Sequence, residues 1–287
     1  MDVITSSEAL RDFVSSKRME GDTVGFVPTM GALHRGHLSL IDLAHRHADI
    51  VIVSAFVNPL QFDNAEDFDR YPETRHADEE MCRQRGVQVL YRPNAAEMYP
   101  NGFATSVHVD RLSSILEGAS RPGHFDGVAT VVAKLFNTVD PDVAVFGAKD
   151  FQQVAVIRRM ALDLGFRVRI VVAPTVREND GLAMSSRNVR LDTEARRAAA
   201  QLSKGLFAAR AAFRTGTTNP DVLLYLVAGH IGATQLVTVD YVHIVDPYDL
   251  EPVEEAGPDD VLLVAAVVGG VRLIDNLVLG DDDPGED

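Results

Sequence analysis

Short apolar runs alternate with helical patterns along residues 24 to 175, and this alternation limits the possible folds more than any other feature. Several runs are continuously apolar, as are strands that are covered on both faces of a sheet. We predict strands at residues 24–27, 50–56, 87–91, 143–146 and 168–172, and helices at 37–47, 74–85, 128–139 and 151–164. Such alternation favours an α/β fold with a Rossmann-like, doubly wound parallel sheet.

The pattern changes after Pro174. We predict helices at residues 193–212 and 220–231, followed by three strands at 237–245, 261–268 and 271–279 that we expect to pair antiparallel. The chain therefore divides into a larger domain at 1–175 and a smaller α+β domain at 176–287. Residues 281–287 form an acidic tail that we expect to be disordered and solvated.

Composition excludes several classes of protein. With 46% hydrophobic and 24% charged residues, the chain can bury the core of an ordinary globular protein. A net charge of −15 argues against broad nucleic-acid or anionic-membrane binding, although a local cationic pocket could still hold an anionic substrate. The single cysteine, Cys82, excludes an internal disulfide and a cysteine-based zinc site. Because no run reaches membrane-spanning length and residues 1–20 lack an apolar signal segment, we expect a cytoplasmic protein.

The segment at residues 28–37 predicts a strand, a tight turn and the start of a helix. Pro28 is expected to end the strand, and Gly31 and Gly36 allow close backbone approach or positive φ. A helix N-terminus presents unpaired backbone N–H groups that can hold a phosphate, and His34 and His37 can add donors. The alternative is a plain strand-to-helix turn with two exposed histidines.

A second strand-to-helix segment, at residues 146–153, carries Lys149, Asp150 and Gln153. A lysine at a strand end can neutralise phosphate charge in a transition state, whereas Asp150 is suited to capping the helix. A solvated surface lysine is the alternative. Farther along, Ser185 and Ser186 beside Arg187 form a group that can grip phosphate, although an ordinary polar loop with an N-cap serine is the favoured explanation of that segment taken alone.

Two further segments supply polar side chains for a small organic ligand. Asn58 and Gln61 stand among apolar neighbours just after the second predicted strand, a composition that suits recognition of hydroxyls or a carboxylate. Residues 121–127 predict a mobile glycine-bearing loop that places Arg121 and His124. Asp78 and Asp150 are candidates to approach a phosphate-bound Mg²⁺.

In this order along the chain, residues 28–37, 56–62, 121–128, 146–153 and 174–188 resemble the motifs of the pantothenate synthetase, or pantoate–β-alanine ligase, family. The resemblance spans about residues 24 to 279, and residues 34–37 match the His-x-Gly-His signature of a wider nucleotidyltransferase group. It implies ATP-dependent ligation of pantoate and β-alanine to pantothenate, through pantoyl adenylate, with release of pyrophosphate and AMP. That product lies on the route to coenzyme A.

The resemblance also implies roles for individual residues. The implied catalytic residues are His34, His37, Lys149 and Arg187. The implied ATP-binding residues are Met30, Gly31, Ala32, Leu33, His34, Arg35, Gly36, His37, Gly147, Ala148, Lys149, Asp150, Val176, Met184, Ser185, Ser186 and Arg187. The implied pantoate-binding residues are Gln61, Gln153 and Asn58, Gln61 also binding β-alanine, with Arg121 and His124 as weaker candidates on the flexible loop and Asp78 as the candidate for the metal.

The implied organisation follows the predicted domains. Residues 1–175 would bind nucleotide and pantoate, and residues 176–287 would cover the active site. The resemblance implies a homodimer that uses Mg²⁺, and the net charge of −15 leads us to expect neither nucleic-acid nor membrane partners. Two positions depart from the family pattern: Arg35 stands where an acidic or other non-cationic residue is usual, and Ala148 where Glu or Gln is usual.

Two other functions stay open at this point. A different nucleotidyltransferase, such as an aminoacyl-tRNA synthetase or a cytidylyltransferase, could share these motifs, but a tRNA ligase should carry a basic RNA-binding domain. A non-catalytic nucleotide-binding scaffold could share the fold. Such a scaffold should have lost His37, Lys149 or Arg187, all of which are present.

Overall fold

A computed structural model describes residues 1–63, 65–232 and 234–281, with residues 65 and 66 described by their backbone alone. The chain forms two compact units. The first contains Met1–Gly147 and Val156–Ala173, and the second contains Ala148–Ala155 and the chain from Pro174 onward. Beyond Asp281, the predicted acidic tail lies outside the described residues.

The first unit is built on a parallel sheet of six strands in the order β1-β4-β3-β2-β5-β6. These strands are β1 (Asp2–Ile4), β2 (Val24–Thr29), β3 (Ile50–Ala55), β4 (Val89–Tyr91), β5 (Val143–Gly147) and β6 (Arg169–Ala173). The five strands predicted within residues 24–175 are all present, which confirms the α/β fold class. Continuous burial of residues 24–27 and 50–54 explains why those runs are apolar throughout.

Helices lie between the strands of the first unit along the chain, and further helices belong to the second unit. They are α1 (Ser7–Glu20), α2 (Arg35–His45), α3 (Ala65–Asp69), α4 (Arg75–Gln84), α5 (Ala95–Met98), α6 (Glu117–Ser120), α7 (His124–Val139), α8 (Phe151–Asp163), α9 (Thr193–Arg214) and α10 (Pro220–Ile231). Short 3₁₀ turns lie at Pro59–Gln61, Ala148–Asp150 and Ser186–Arg190. The predicted helices at 37–47, 74–85, 128–139 and 151–164 correspond to α2, α4, α7 and α8.

The second unit contains an antiparallel sheet in the order β7-β8-β9. Its strands are β7 (Val237–Val245), β8 (Val261–Val268) and β9 (Val271–Val278), close to their predicted bounds. Helices α9 and α10 share one buried apolar cluster with this sheet, to which Leu206, Leu223 and Val264 contribute. The prediction of a smaller α+β region with antiparallel strands is thereby confirmed, whereas the functional division of the chain stays a prediction.

The amino-terminal elements were not predicted from the sequence. Helix α1 is capped by the Ser6 side chain, ends at Gly21 with φ of +94°, and buries Leu10 and Val14 on one face. Ser6, the one-turn spacing of the two apolar residues and Gly21 are all visible in the sequence as helix signals. Strand β1 has three residues with an exposed or half-buried pattern, so periodicity gives almost no signal for it.

Pro28 does not end β2, contrary to the sequence expectation. The strand continues to Thr29, and Pro28 pairs in register with Ser54 of β3. On its other side, β2 pairs with β5 at Gly25 and Phe26. At Pro28 the recorded pairing of β2 is with β3 alone, as in an edge strand. A strand tolerates proline at such a position because the missing N–H group has no ladder partner there.

Candidate active site

The turn after β2 forms a compact loop before α2. Gly31 has φ of +83° and Ala32 has φ of +50°, so the chain reverses through two left-handed residues. A Cβ on Gly31 would lie 3.1 Å from Oδ2 of Asp78, closer than ordinary van der Waals contact. The positive φ favours glycine at this position, and a Cβ would crowd the Asp78 side chain.

Both histidines of the predicted signature cap helix α2. His34 is the N-cap residue, and its Nδ1 accepts a hydrogen bond from the Gly36 N–H at 3.1 Å. The His34 N–H in turn donates to Nδ1 of His37 at 3.3 Å, and the two ring centroids are 4.1 Å apart. A nitrogen that accepts a hydrogen bond carries no proton, so the cap places the proton of each neutral ring on Nε2.

Asp78 holds the same loop from helix α4. Its side chain is buried and accepts hydrogen bonds from the N–H groups of Ala32 (3.1 Å) and Leu33 (2.9 Å) and from the Thr74 hydroxyl (3.0 Å). A buried carboxylate requires such donors to offset the loss of water. Asp78 is therefore a structural anchor of the loop.

Five backbone N–H groups of the loop already donate hydrogen bonds to groups within the protein. The N–H groups of Ala32 and Leu33 go to Asp78, those of His34 and Gly36 go to the imidazoles, and that of Gly31 goes to the Thr29 hydroxyl. The expectation that unpaired backbone N–H groups await a phosphate is wrong for these five residues. The donor chemistry of the two histidines lies instead in their side chains.

Asn58 is fully engaged within the first unit. Its amide donates to Oε1 of Gln61 (2.9 Å) and to the Gly127 carbonyl (3.1 Å). Its Oδ1 accepts from the Leu60 N–H (3.3 Å) and from the Tyr99 hydroxyl (2.7 Å). With two donors and two acceptors in use, the side chain has its full set of hydrogen bonds.

Gln61 lies at the end of a 3₁₀ turn and is positioned from two sides. Besides the bond from Asn58, its side-chain amide lies 3.1 Å from the sulfur of Met30. Behind it, the chain of α7 comes so close that a Cβ on Gly127 would lie 2.2 Å from the Leu60 carbonyl oxygen. Only glycine allows this approach, which fixes the turn that presents Gln61.

Arg121 and His124 meet at the backbone of Gln61. The Gln61 carbonyl lies 2.7 Å from Nδ1 of His124 and 3.2 Å from a guanidinium nitrogen of Arg121, which also pairs with Asp63 at 3.2 Å. A carbonyl only accepts, so Nδ1 of His124 carries the proton, and its Nε2 accepts from Arg121 at 3.2 Å. His124 thus has the opposite tautomer from His34. The helix predicted from residue 128 begins earlier, at His124.

The segment after β5 belongs to the second unit. Ala148–Asp150 forms a 3₁₀ turn, and the Lys149 side chain is mostly buried, with its ammonium 3.7 Å from the Asp150 carboxylate. Gln153 is half-buried in the first turn of α8. A residue that the sequence did not reveal, Asn276 of β9, donates to the carbonyls of Ala148 (3.0 Å) and Lys149 (2.8 Å).

Residues 176–184 form a small hairpin in that unit. The Met184 N–H donates to the Val176 carbonyl at 2.9 Å, and an antiparallel bridge joins Arg177 to Ala183. Ser185 then caps the following 3₁₀ turn by accepting from the Arg187 N–H at 3.2 Å. The predicted phosphate-gripping segment is thus held in an ordered hairpin and turn.

Cys82, the single cysteine of the chain, is buried in helix α4. Burial raises the pKa of the Cys82 thiol to about 12, which keeps it protonated and unreactive at neutral pH. Within residues 1–63, 65–232 and 234–281, no group of three His, Cys, Asp or Glu side chains could hold a metal ion. Nor does any described helix combine the length and apolar character needed to cross a membrane.

Comparison with known sequences gives one consistent result. Residues 2–278 match the family model of the pantoate-beta-alanine ligases. The chain is 49% identical over 278 residues to a pantothenate synthetase of Pelotomaculum thermopropionicum, with 97% of this chain and 99% of the relative covered. It is 50% identical over 278 residues to a pantothenate synthetase of a Sulfurihydrogenibium species, with 96% and 99% covered.

Solved structures of the same family superpose on this chain. The pantothenate synthetase of Thermus thermophilus superposes with a TM-score of 0.93 at 45% identity, covering 98% of this chain and all of that one. The pantoate-beta-alanine ligase of Francisella tularensis, described as complexed with beta-gamma ATP and β-alanine, superposes with a TM-score of 0.80 at 32% identity, covering 98% and 99%.

Proposed function

Because the chain belongs to the pantoate–β-alanine ligase family, we propose how its own residues carry out the ATP-dependent ligation of pantoate to β-alanine. In the first step, a pantoate carboxylate oxygen attacks the α-phosphorus of ATP, and the bond to pyrophosphate breaks. In the second step, the β-alanine amine attacks the activated carbonyl, loses a proton and expels AMP. Neither step requires a nucleophile from the protein, which agrees with the buried, protonated Cys82.

The capped histidine pair is the observation that best supports this assignment. Because both Nδ1 atoms accept backbone N–H groups, His34 and His37 carry their protons on Nε2. We propose that these Nε2–H groups donate to the phosphates of ATP, and that His37 supplies a proton as charge develops. Residues 30–37 form the remainder of this part of the ATP site.

In the second unit, Lys149 and Arg187 are the proposed counter-charges. A cation held in place before reaction stabilises the charge that grows on the phosphates during adenylation. Residues 147–150, together with Val176 and 184–187, are the corresponding ATP-binding segments. Their backbone is already ordered by the hairpin and by Asn276.

Pantoate recognition is assigned to Gln61 and Gln153, with Gln61 also contacting β-alanine. The four hydrogen bonds of Asn58 indicate that it acts by orienting Gln61 rather than by binding pantoate itself. Arg121 and His124 support the same residue through its carbonyl.

Mg²⁺ is best assigned to the substrate. Asp78, the residue that family resemblance links to the metal, accepts three hydrogen bonds from the protein. Among the described residues, no group of three His, Cys, Asp or Glu side chains could hold a metal ion. We propose that Mg²⁺ arrives on the phosphates of ATP, where it keeps most of its waters. Family membership further suggests a cytoplasmic homodimer in the coenzyme A pathway.

The decisive experiment is product analysis with ATP, pantoate and β-alanine. We expect AMP, pyrophosphate and pantothenate in equal amounts, together with pantoate-dependent exchange of labelled pyrophosphate into ATP. Formation of ADP would exclude adenylation. Exchange that depends on an amino acid instead of pantoate would favour a different nucleotidyltransferase, and ATP binding without any exchange would favour a non-catalytic scaffold.

A further inference from the structure

Strand β9 buries two adjacent polar side chains, Asp275 and Asn276. Asp275 is 2% exposed and Asn276 is 5% exposed. Burying a carboxylate and an amide destabilises a fold unless hydrogen bonds replace the lost water. Here the replacement bonds run to the Ala148–Asp150 turn, which is proposed to bind ATP, and to Arg177 of the neighbouring hairpin.

Asn276 holds the turn that carries Lys149. Its amide nitrogen donates to the Ala148 carbonyl at 3.0 Å and to the Lys149 carbonyl at 2.8 Å, which uses both amide hydrogens. Ala148 has no polar side chain, so these carbonyls are the groups through which β9 can hold the turn.

Fixing a carbonyl also fixes the N–H group of the same peptide. In a planar trans peptide the N–H points opposite to the C=O. The bonds from Asn276 therefore direct the N–H groups of Lys149 and Asp150 away from β9, and they set the direction in which the Lys149 side chain leaves the backbone. This arrangement orients the Lys149 cation.

Asp275 holds the neighbouring hairpin through Arg177. The guanidinium of Arg177 pairs with both carboxylate oxygens of Asp275, at 2.6 and 2.9 Å, and stacks 5.0 Å above the Phe207 ring. It also donates to the Gly181 carbonyl at 3.0 Å and to the Asn276 carbonyl at 3.1 Å. One arginine thus joins the hairpin that leads to Arg187 with the strand that holds Lys149.

We propose that Asn276, supported by the Arg177–Asp275 pair, is a positioning residue for adenylation. It acts by fixing the Lys149 turn, and it does not touch the substrate. The proposal rests on the proposed function of Lys149. A displacement of about 1 Å in a positioned group can lower a rate by about 100-fold, so loss of the Asn276 bonds should chiefly lower kcat.

The first test needs no activity. Asn276→Ala should accelerate amide hydrogen exchange about tenfold in peptides covering residues 148–153, because the turn loses two hydrogen bonds to β9. The matched control is Asn219→Ala, which removes another amide side chain of the same unit, the cap of α10. The control should leave residues 148–153 unchanged. Asn276→Ser replaces the alanine variant if that variant does not fold.

The second test measures pantoate-dependent pyrophosphate exchange. We expect Asn276→Ala to lower kcat at least tenfold with less than a threefold change in KM for pantoate, whereas Asn219→Ala stays within twofold. Unchanged hydrogen exchange at residues 148–153, or a kcat loss no larger than that of the control, would overturn the proposal. If the wild-type protein shows no exchange activity while Asn276→Ala still loosens the turn, the proposed function fails and the structural part of the inference stands.

Discussion

The two turns assigned to phosphate binding are held in opposite ways. The loop before α2 has its N–H groups tied down by acceptors, namely the Asp78 carboxylate and the two imidazoles. The Lys149 turn has its carbonyls tied down by a donor, the Asn276 amide. The first turn therefore offers a ligand its side chains, and the second offers the Lys149 side chain from a backbone whose carbonyls are held by β9.

The difference also concerns distance along the chain. The histidine cap closes within four consecutive residues, whereas Asn276 lies 128 positions from Ala148. The histidine cap can form as soon as its helix forms, whereas the bonds from Asp78 to the same loop span 45 and 46 positions. A turn held by a distant strand depends on completion of the β7-β8-β9 sheet, so the two should respond differently to substitution.

The largest effect should follow loss of the cation in the second turn. Lys149→Ala removes a preorganised charge, and a loss of about 3 to 4 kcal/mol of transition-state stabilisation lowers kcat about 100- to 1000-fold. The thermal midpoint should stay close to that of the wild type, because the backbone of the turn is held by Asn276. The measurement is pyrophosphate exchange alongside thermal unfolding.

Lys204→Ala is the matched control, since Lys204 is an exposed lysine of α9 in the same unit. It should retain full exchange activity. Near-wild-type turnover in Lys149→Ala would show that Lys149 has no part in the mechanism. The second turn would then no longer be a candidate phosphate site.

The next effect concerns the anchor of the first loop. Asp78→Ala leaves the N–H groups of Ala32 and Leu33 without their acceptor, and each unsatisfied group costs about 1 to 3 kcal/mol. We expect the free energy of unfolding to fall by about 2 to 4 kcal/mol, measured by urea denaturation. Asp42→Ala removes an exposed partner of Arg85 and should cost less than about 1 kcal/mol. Equal losses in the two variants would show that Asp78 does not anchor the loop.

A third substitution separates capping from chemistry in that loop. Asparagine is a strong N-cap residue, so His34→Asn should preserve α2 to within about 0.5 kcal/mol while removing the ring Nε2–H. We expect kcat for exchange to fall about 100-fold, the usual loss for one oriented donor. His34→Ala removes both the cap and the donor, so it should lose the same activity and about 1 kcal/mol more stability. Retained activity in His34→Asn would make the histidine purely structural.

The sequence could predict the features that depend on neighbouring residues better than those that depend on distant ones. Residues 34–37 carry both the motif and the cap, so a local reading of four residues identifies the turn and its helix. The apolar runs predict the strands because burial on both faces leaves a continuous pattern. By contrast, the sequence predicts that Asn58 binds pantoate, and its hydrogen bonds to Gln61, Gly127, Leu60 and Tyr99 become visible only in the structure. Asn276 gives no signal at all, because its role depends on which segment the completed sheet brings beside it.

The smallest expected effect is a change in the alkylation rate of Cys82. This residue lies one turn after Asp78 on α4 and therefore serves as a probe of the first loop. Burial, with a further contribution from the Asp78 charge, raises the pKa of its thiol to about 12. Alkylation requires the thiolate, so the native labelling rate should rise about tenfold per pH unit from pH 8 to 10 without a plateau. Asp78→Ala should increase that rate at every pH, because it removes the nearby negative charge that raises the thiol pKa and also loosens the loop, while Asn276→Ala should leave it unchanged. A plateau near pH 9 would mean that the thiol is exposed and that the loop does not seal this helix.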